Sequence, residues 1–138
     1  YSLVARYAEH DLVPVGLDQR VGIMAWSPLQ SGLLSGKFRR GQGKPAESRL
    51  NTLDIPGPVE EERLYRVVDV LAEIAAQRGV SVPQVALNWV MRKPCVDTVI
   101  LGARNEQQLR KGQVRPPHWR KLFRCLKNFR SCCLNFRD

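Results

Sequence analysis

The sequence predicts an α/β protein built on a parallel sheet, and three observations carry that reading. Two runs of strand length, Val21-Gly22-Ile23-Met24-Ala25-Trp26 and Asp97-Thr98-Val99-Ile100-Leu101, are separated by amphipathic helical stretches. The first run is apolar almost throughout, as in a parallel strand covered on both faces. Strand-like and helix-like segments alternate along the chain, the ordering that α/β folds require. At 138 residues the chain is long enough for one modest domain with a sizeable core.

The elements follow in order. The opening Tyr1-Ser2-Leu3-Val4 run reads as the tail of a strand, and the absence of an initial methionine makes the chain read as a fragment. Arg6 to Val13 is expected to be a short polar helix with Leu12 and Val13 turned inward, stopped by Pro14. After the strand 21–26, Ser27 to Pro58 is long and rich in Gly and Pro. Connections of that length inside a compact domain are usually functional or disordered, and function is the expectation here. Val59-Glu60-Glu61-Glu62 then places negative charge where a helix dipole favours it. Leu64, Val67, Val68, Leu71, Ile74 and Ala75 line one face of that helix, which Gly79 ends. Ser81 is placed to cap the next helix, with Pro83 in its first turn and Gln84 completing a capping box. This helix should bury Val85, Ala86, Trp89 and Val90 and end before Pro94. The strand 97–101 follows, and Asn105 caps a last helix starting Glu106-Gln107-Gln108-Leu109.

Charge and cysteine divide the chain near Arg110. Residues 1–109 carry 13 Lys/Arg against 12 Asp/Glu, whereas residues 110–138 carry nine basic residues against Asp138 alone. The formal net charge of +9 is therefore almost entirely a property of the tail, and it implies no nucleic-acid affinity for the body. Cys95 stands alone in the body, while Cys125, Cys132 and Cys133 lie in the tail without the paired spacing of a zinc site or a disulfide framework. Incidental thiols in a reducing compartment are the simpler reading, so no metal is expected. No apolar run approaches the roughly 18 residues of a spanning helix, and no signal peptide is evident. A cytoplasmic location without a membrane partner is expected.

Two motifs carry chemistry. The first is Trp26-Ser27-Pro28-Leu29-Gln30-Ser31-Gly32-Leu33-Leu34-Ser35-Gly36-Lys37, followed by Ser48-Arg49. The second is Val99-Ile100-Leu101-Gly102-Ala103-Arg104-Asn105-Glu106-Gln107-Gln108-Leu109. Trp26, Ser27 and Gly102 would stand at the C-terminal ends of strands, where parallel α/β folds hold their ligands. An indole there offers a flat apolar face for an aromatic ring. Ser27 and the amides near Leu29 and Gly32 would donate to phosphate oxygens, with glycine letting the main chain come close. Lys37 adds a mobile cation and Arg49 a planar fork. Gly102-Ala103-Arg104-Asn105 runs into a helix start, an anion-binding arrangement. Each piece also has a plain structural reading, since a strand-end Trp often only packs and Lys37 or Arg49 alone would be solvated. The Gly32–Lys37 segment is not a P-loop, because three residues separate its glycines and Phe38 follows the lysine.

Tyr1 to Arg6, Trp26 to Lys37, Ser48-Arg49, Ala86-Leu87-Asn88-Trp89-Val90 and Ile100 to Leu109 resemble the aldo-keto reductases, in their bacterial and potassium-channel β-subunit branch. The likeness covers residues 1–109. It implies a partial (β/α)8 barrel, the last three βα units, with residues 110–138 as a separate basic tail outside the fold. A whole barrel of this type takes roughly 250 residues. The resemblance also implies NADP(H) as cofactor, with Trp26 stacked on nicotinamide and Ser27, Pro28, Leu29, Ser31 and Gly32 lining the pyrophosphate. Lys37, Arg49, Gly102, Ala103, Arg104 and Gln108 would surround the phosphates and the adenosine half. An arginine at 104 suits a 2′-phosphate and favours NADP over NAD.

Two departures qualify that implication. The family's catalytic Asp, Tyr, Lys and His lie on earlier strands, and no residue of this chain matches their motifs, so no catalytic residue is assigned. After Leu109 the family pattern of an acidic residue and Asn is replaced by Arg110-Lys111-Gly112, as after a change of reading frame or an unrelated exon. The expected function is that of a C-terminal, cofactor-binding piece of an NADPH-dependent reductase of aldehydes and ketones, inactive alone. A small carbonyl substrate would bind only with an N-terminal half present. The alternative is a non-catalytic interaction fragment acting through its tail. There, arginines interleaved with His118, Trp119, Phe123, Phe129 and Phe136 would suit single-stranded nucleic acid, but no such motif is complete and no nucleic-acid partner is expected.

Overall fold

A computed structural model describes residues 1–42 and 60–112. Arg49, Ser48 and the tail beyond residue 112 lie outside the described residues, and with them the expectations placed there. The described elements run as a short 3-10 turn Tyr7–Glu9, helix α1 (Leu12–Gln19), strand β1 (Ile23–Ala25), a 3-10 segment Gln30–Ser35, helices α2 (Glu61–Arg78) and α3 (Val82–Met91), strand β2 (Val96–Val99) and helix α4 (Glu106–Gly112). β1 and β2 pair in parallel, Ile23 opposite Val96 and Ala25 opposite Val99, with an irregularity between Ile23 and Met24. The α/β class follows directly, because a parallel pair must be joined by a long crossover, here the stretch that includes α2 and α3.

α2 buries all six residues of its apolar stripe, and Gly79 closes it in the left-handed conformation at φ 63°. Those side chains meet Val85 and Ala86 of α3, together with Leu3, Val4 and Leu34, in the main core. α3 begins in a complete capping box: Ser81 N donates to Gln84 Oε1 at 2.9 Å, and Gln84 N donates back to Ser81 Oγ at 3.4 Å. One turn beyond Ala86, Val90 packs on Ala25 and Val96 of the sheet. α3 is thus the keel between the helical core and the strands.

Several expectations need correction. Pro14 does not stop a helix; it sits in the first turn of α1, where its missing N–H would have no partner in any case. Asp11 caps that helix by accepting from Leu12 N at 2.6 Å. Leu12 points outward at 59% exposure, because Gly16 is the buried position of α1. The opening Tyr1–Val4 run forms no strand in the described residues. Ser2 N donates to Ala5 O at 3.0 Å and Ser2 Oγ accepts from Ala5 N at 3.1 Å, so the chain turns away after one bond to the sheet. Two strands rather than three are therefore found among the described residues. β1 is covered on one face only: Ala25 is buried, while Met24 is 63% exposed on the other side. α4 runs through Arg110, Lys111 and Gly112, past the compositional break, and Ser81 Oγ donates to Lys111 O at 2.8 Å. Gly112 lies against the Leu101 side chain, whose end would have to shift to admit a larger residue.

Candidate functional site

Because β1 and β2 are parallel neighbours, their C-terminal ends lie side by side, and both motifs leave the sheet from that edge. Three consecutive carbonyls at the end of β1 are each held by a different part of the chain. Ile100 N donates to Ala25 O at 2.9 Å, Tyr1 N to Trp26 O at 2.8 Å, and Gln30 N to Ser27 O at 2.9 Å. The main chain of Trp26 is thereby pinned from both flanks while its side chain stays 73% exposed. A fixed root with a free indole face is what a stacking platform needs.

The segment after Trp26 is backbone-strained. Ser27, Gln30 and Ser31 have φ of 56°, 46° and 54°, and Gly32 follows at 94°. L-residues avoid this region at roughly 1–2 kcal/mol each, so such conformations persist only where surrounding structure imposes them. The anchors are visible: Pro28 and Leu34 are buried, and Leu29 O accepts from Gly32 N at 3.0 Å and Leu34 N at 3.2 Å. The Gln30, Gly32 and Leu34 amides are each bonded to a carbonyl of the same segment, so the expected donation from Gly32 N to a phosphate oxygen is not the arrangement here. A Cβ on Gly32 would meet nothing within 4 Å, so its surroundings leave space for a ligand to approach the main chain.

The remaining predicted residues are placed as follows. Lys37 is exposed, just beyond Gly36, which ends the 3-10 segment at φ 80°. Gly102, Ala103 and Arg104 are exposed on the link from β2 to α4. Two amides at the start of α4 are satisfied internally: Gln108 N donates to Asn105 Oδ1 at 2.9 Å, and Arg104 N to Gln108 Oε1 at 3.0 Å. Gln108 therefore acts first as a cap. Arg49 lies outside the described residues.

Sequence reading missed a second cluster behind Trp26. Glu9 accepts from the Tyr1 hydroxyl, from Arg6 Nε at 3.0 Å, and pairs with Lys93 Nζ at 3.1 Å. Lys93 lies 4.1 Å from the centre of the Trp89 ring, Arg6 5.3 Å from it, and the Tyr1 ring 5.7 Å away. Burial alone would raise the Glu9 carboxyl, but hydrogen bonds from Arg6, Tyr1 and Lys93 outweigh it and hold the group down at about 2. The Tyr1 phenol is pushed well above its ordinary value by burial and by its bond to Glu9. The only local signal was the Arg6/Glu9 spacing; Lys93 and Trp89 join through the fold.

Comparison with known proteins now bears on this arrangement. The family model described as "Aldo/keto reductase family" matches residues 1–112. The chain belongs to the aldo/keto reductase family. It is 35% identical to a probable voltage-gated potassium channel subunit beta of Oryza sativa subsp. japonica, over 79% of this chain and 34% of that protein. An L-glyceraldehyde 3-phosphate reductase of Escherichia coli K12 is 32% identical over 79% of this chain and 33% of its own length. An NADH-specific methylglyoxal reductase of the same organism is 27% identical over 80% and 33%. The chain thus spans about a third of the length of the curated relatives it matches. The structure of a glycerol dehydrogenase from Gluconobacter oxydans superposes with a TM-score of 0.64 at 24% identity, over 93% of this chain and 41% of that one, which supports the α/β fold.

Proposed function

We propose that this chain is the cofactor-holding, C-terminal part of an aldo/keto reductase barrel, with NADP(H) as its ligand and no complete catalytic site of its own. The observation that carries the reading is the convergence of both motifs at the C-terminal edge of one parallel strand pair, where barrels of this kind hold ligands. When bound, the cofactor supplies a hydride for reduction of an aldehyde or ketone.

In this reading Trp26 stacks on the nicotinamide ring and the strained Ser27–Gly32 segment, with Pro28 and Leu29, lines the pyrophosphate. Lys37, Arg49, Gly102, Ala103, Arg104 and Gln108 surround the phosphates and the adenosine half. Arg104 and Arg49 favour the 2′-phosphate, although one relative is named NADH-specific. In this proposal the basic stretch 110–138 is a tail outside the barrel, joined to it where Arg110–Gly112 complete α4. Tyr1, whose main chain holds Trp26, is unsuited as the proton donor: its phenol is shifted upward and its proton committed to Glu9, the opposite of what a general acid near neutral pH requires.

Two measurements test this. Mixed with a panel of aldehydes and NADPH, the purified chain shows no turnover above buffer by absorbance at 340 nm; turnover abolished by a point substitution in this chain would refute the proposal. Arg104→Ala, read by titration in the chain complemented with the remaining segments of a family relative, weakens NADPH binding by about ten- to a hundredfold and leaves NADH unchanged, from the roughly 1.5–3 kcal/mol of a charged hydrogen bond. Equal losses for both cofactors would place Arg104 elsewhere.

A further inference from the structure

The geometry points to Glu9 as a positioning residue for Trp26, acting through Tyr1 across the hydrogen bonds Glu9–Tyr1 hydroxyl and Tyr1 N–Trp26 O. The inference rests on the reading of Trp26 as the nicotinamide platform, but its first test needs no cofactor.

The link is short and continuous. Tyr1 N holds the Trp26 carbonyl at 2.8 Å. What holds Tyr1 is its side chain: the hydroxyl bonds to Glu9 and the ring lies 5.7 Å from Trp89. Glu9 is itself fixed by Arg6 and Lys93, and Lys93 sits over the Trp89 ring, so hydroxyl acceptor and ring neighbour belong to one packed unit on the end of α3. On the far side, Ile100 N fixes Ala25 O independently of this unit. Loss of the Glu9 contact therefore frees one flank of Trp26 and leaves the other in place. The peptide plane between Trp26 and Ser27 is the element released, with the Gln30 N bond to Ser27 O left as the remaining hold on the Ser27 φ of 56°.

A group that merely stabilised the fold would act on Trp26 only as far as it lowered stability. A positioning group acts on it specifically. The separating readout is NMR relaxation of the full chain, using the Ser27 amide, which shares the peptide plane of the Trp26 carbonyl, and the Trp26 indole N–H, identified by its loss in Trp26→Phe. In Tyr1→Phe and Glu9→Ala, the Ser27 amide order parameter falls from about 0.85 toward about 0.6 or below, and the indole signal shifts. Glu9→Gln restores most of both, because its amide oxygen still accepts the Tyr1 proton. Val68→Ala, which opens the core beneath α2, leaves both unchanged. Tyr1→Phe keeps the Arg6–Glu9–Lys93 pairing, so it decides the question even where Glu9→Ala fails to fold. An unmoved Ser27 amide in Tyr1→Phe, or an equal change in Val68→Ala, overturns the proposal. Adding NADPH to the chain complemented with the remaining segments of a family relative separates the two readings: a Trp26 signal that depends on Tyr1 and Glu9 yet ignores NADPH supports the positioning role and refutes the cofactor role.

Discussion

The Glu9 carboxylate should contribute stability that is lost as this protein is acidified. The carboxyl has an ordinary value of 4.5 and is held at about 2 in the folded chain. A folded value below the unfolded one stabilises the native state at every pH above the unfolded value, and that contribution disappears as pH falls from about 4.5 through about 2. The gap of about 2.5 units sets a ceiling of about 3 kcal/mol. The Glu9 side chain is one-quarter exposed, so solvent screening brings the expected figure to about 2 kcal/mol. Because other carboxylates titrate over the same range, the quantity to measure is a difference. Urea unfolding of the natural chain and of Glu9→Gln at a series of pH values from 7 to about 2 gives that difference directly. Glu9→Gln is the less stable protein at neutral pH, and the two curves converge as pH falls. A stability difference that stays constant across the range would show that the Arg6–Glu9–Lys93–Tyr1 cluster does not hold a charged carboxylate, and the reasoning would fail.

Other perturbations test particular joints. Gly36→Ala puts a Cβ 3.0 Å from Val82 at a φ of 80°, so it destabilises by about 1–3 kcal/mol in thermal melts, and a Val82→Ala background recovers only the share due to the Val82 methyls, since the Val82 Cβ itself is 3.0 Å away. Ser31→Gly relieves a φ of 54° and raises stability by up to about 1 kcal/mol; a loss instead would mean that the Ser31 side chain holds the segment. Leu71→Ala, at a site with no exposure, costs about 2–5 kcal/mol and shifts the urea midpoint accordingly.

What the sequence made legible was local and periodic. The six-residue stripe of α2, the Gly79 stop, the Ser81–Gln84 box and the Asn105 cap were all readable, since each depends on neighbours within one or two helical turns. Pro14 misled because a proline breaks a helix interior but suits a first turn, and only the Asp11 cap distinguishes the two. The breadth of β1 was overread for a different reason. An apolar run shows that both faces can be covered; it does not show that the described residues supply both layers, and Met24 remains exposed. Both site motifs were readable as sequence, and their shared edge follows from strand pairing. The Glu9 cluster was not, because Lys93 and Trp89 reach it from the far end of α3, and no periodicity links such distant positions.

Site geometry and core packing are coupled in this chain through one short segment. The left-handed residues Ser27, Gln30 and Ser31 store unfavourable backbone energy at the C-terminal edge of the strand pair, and that energy must be offset nearby. The offset lies a few residues on, where Leu34 is fully buried in the core formed by α2 and α3 and Leu29 and Leu33 pack against the same cluster. Gly36 then lets the chain pass Val82 at the start of α3. The strained turn is therefore tied down by apolar contacts on its C-terminal side and by the Tyr1 bond to Trp26 on its N-terminal side. Weakening the Leu34 anchor should relax Ser31 and Gly32 before the chain unfolds globally, because local opening follows the least-supported contacts. Leu34→Ala is expected to raise amide exchange at Ser31 and Gly32 ahead of that at Val68 and Leu71. Uniform acceleration across all four amides would show that the turn and the core open as one unit.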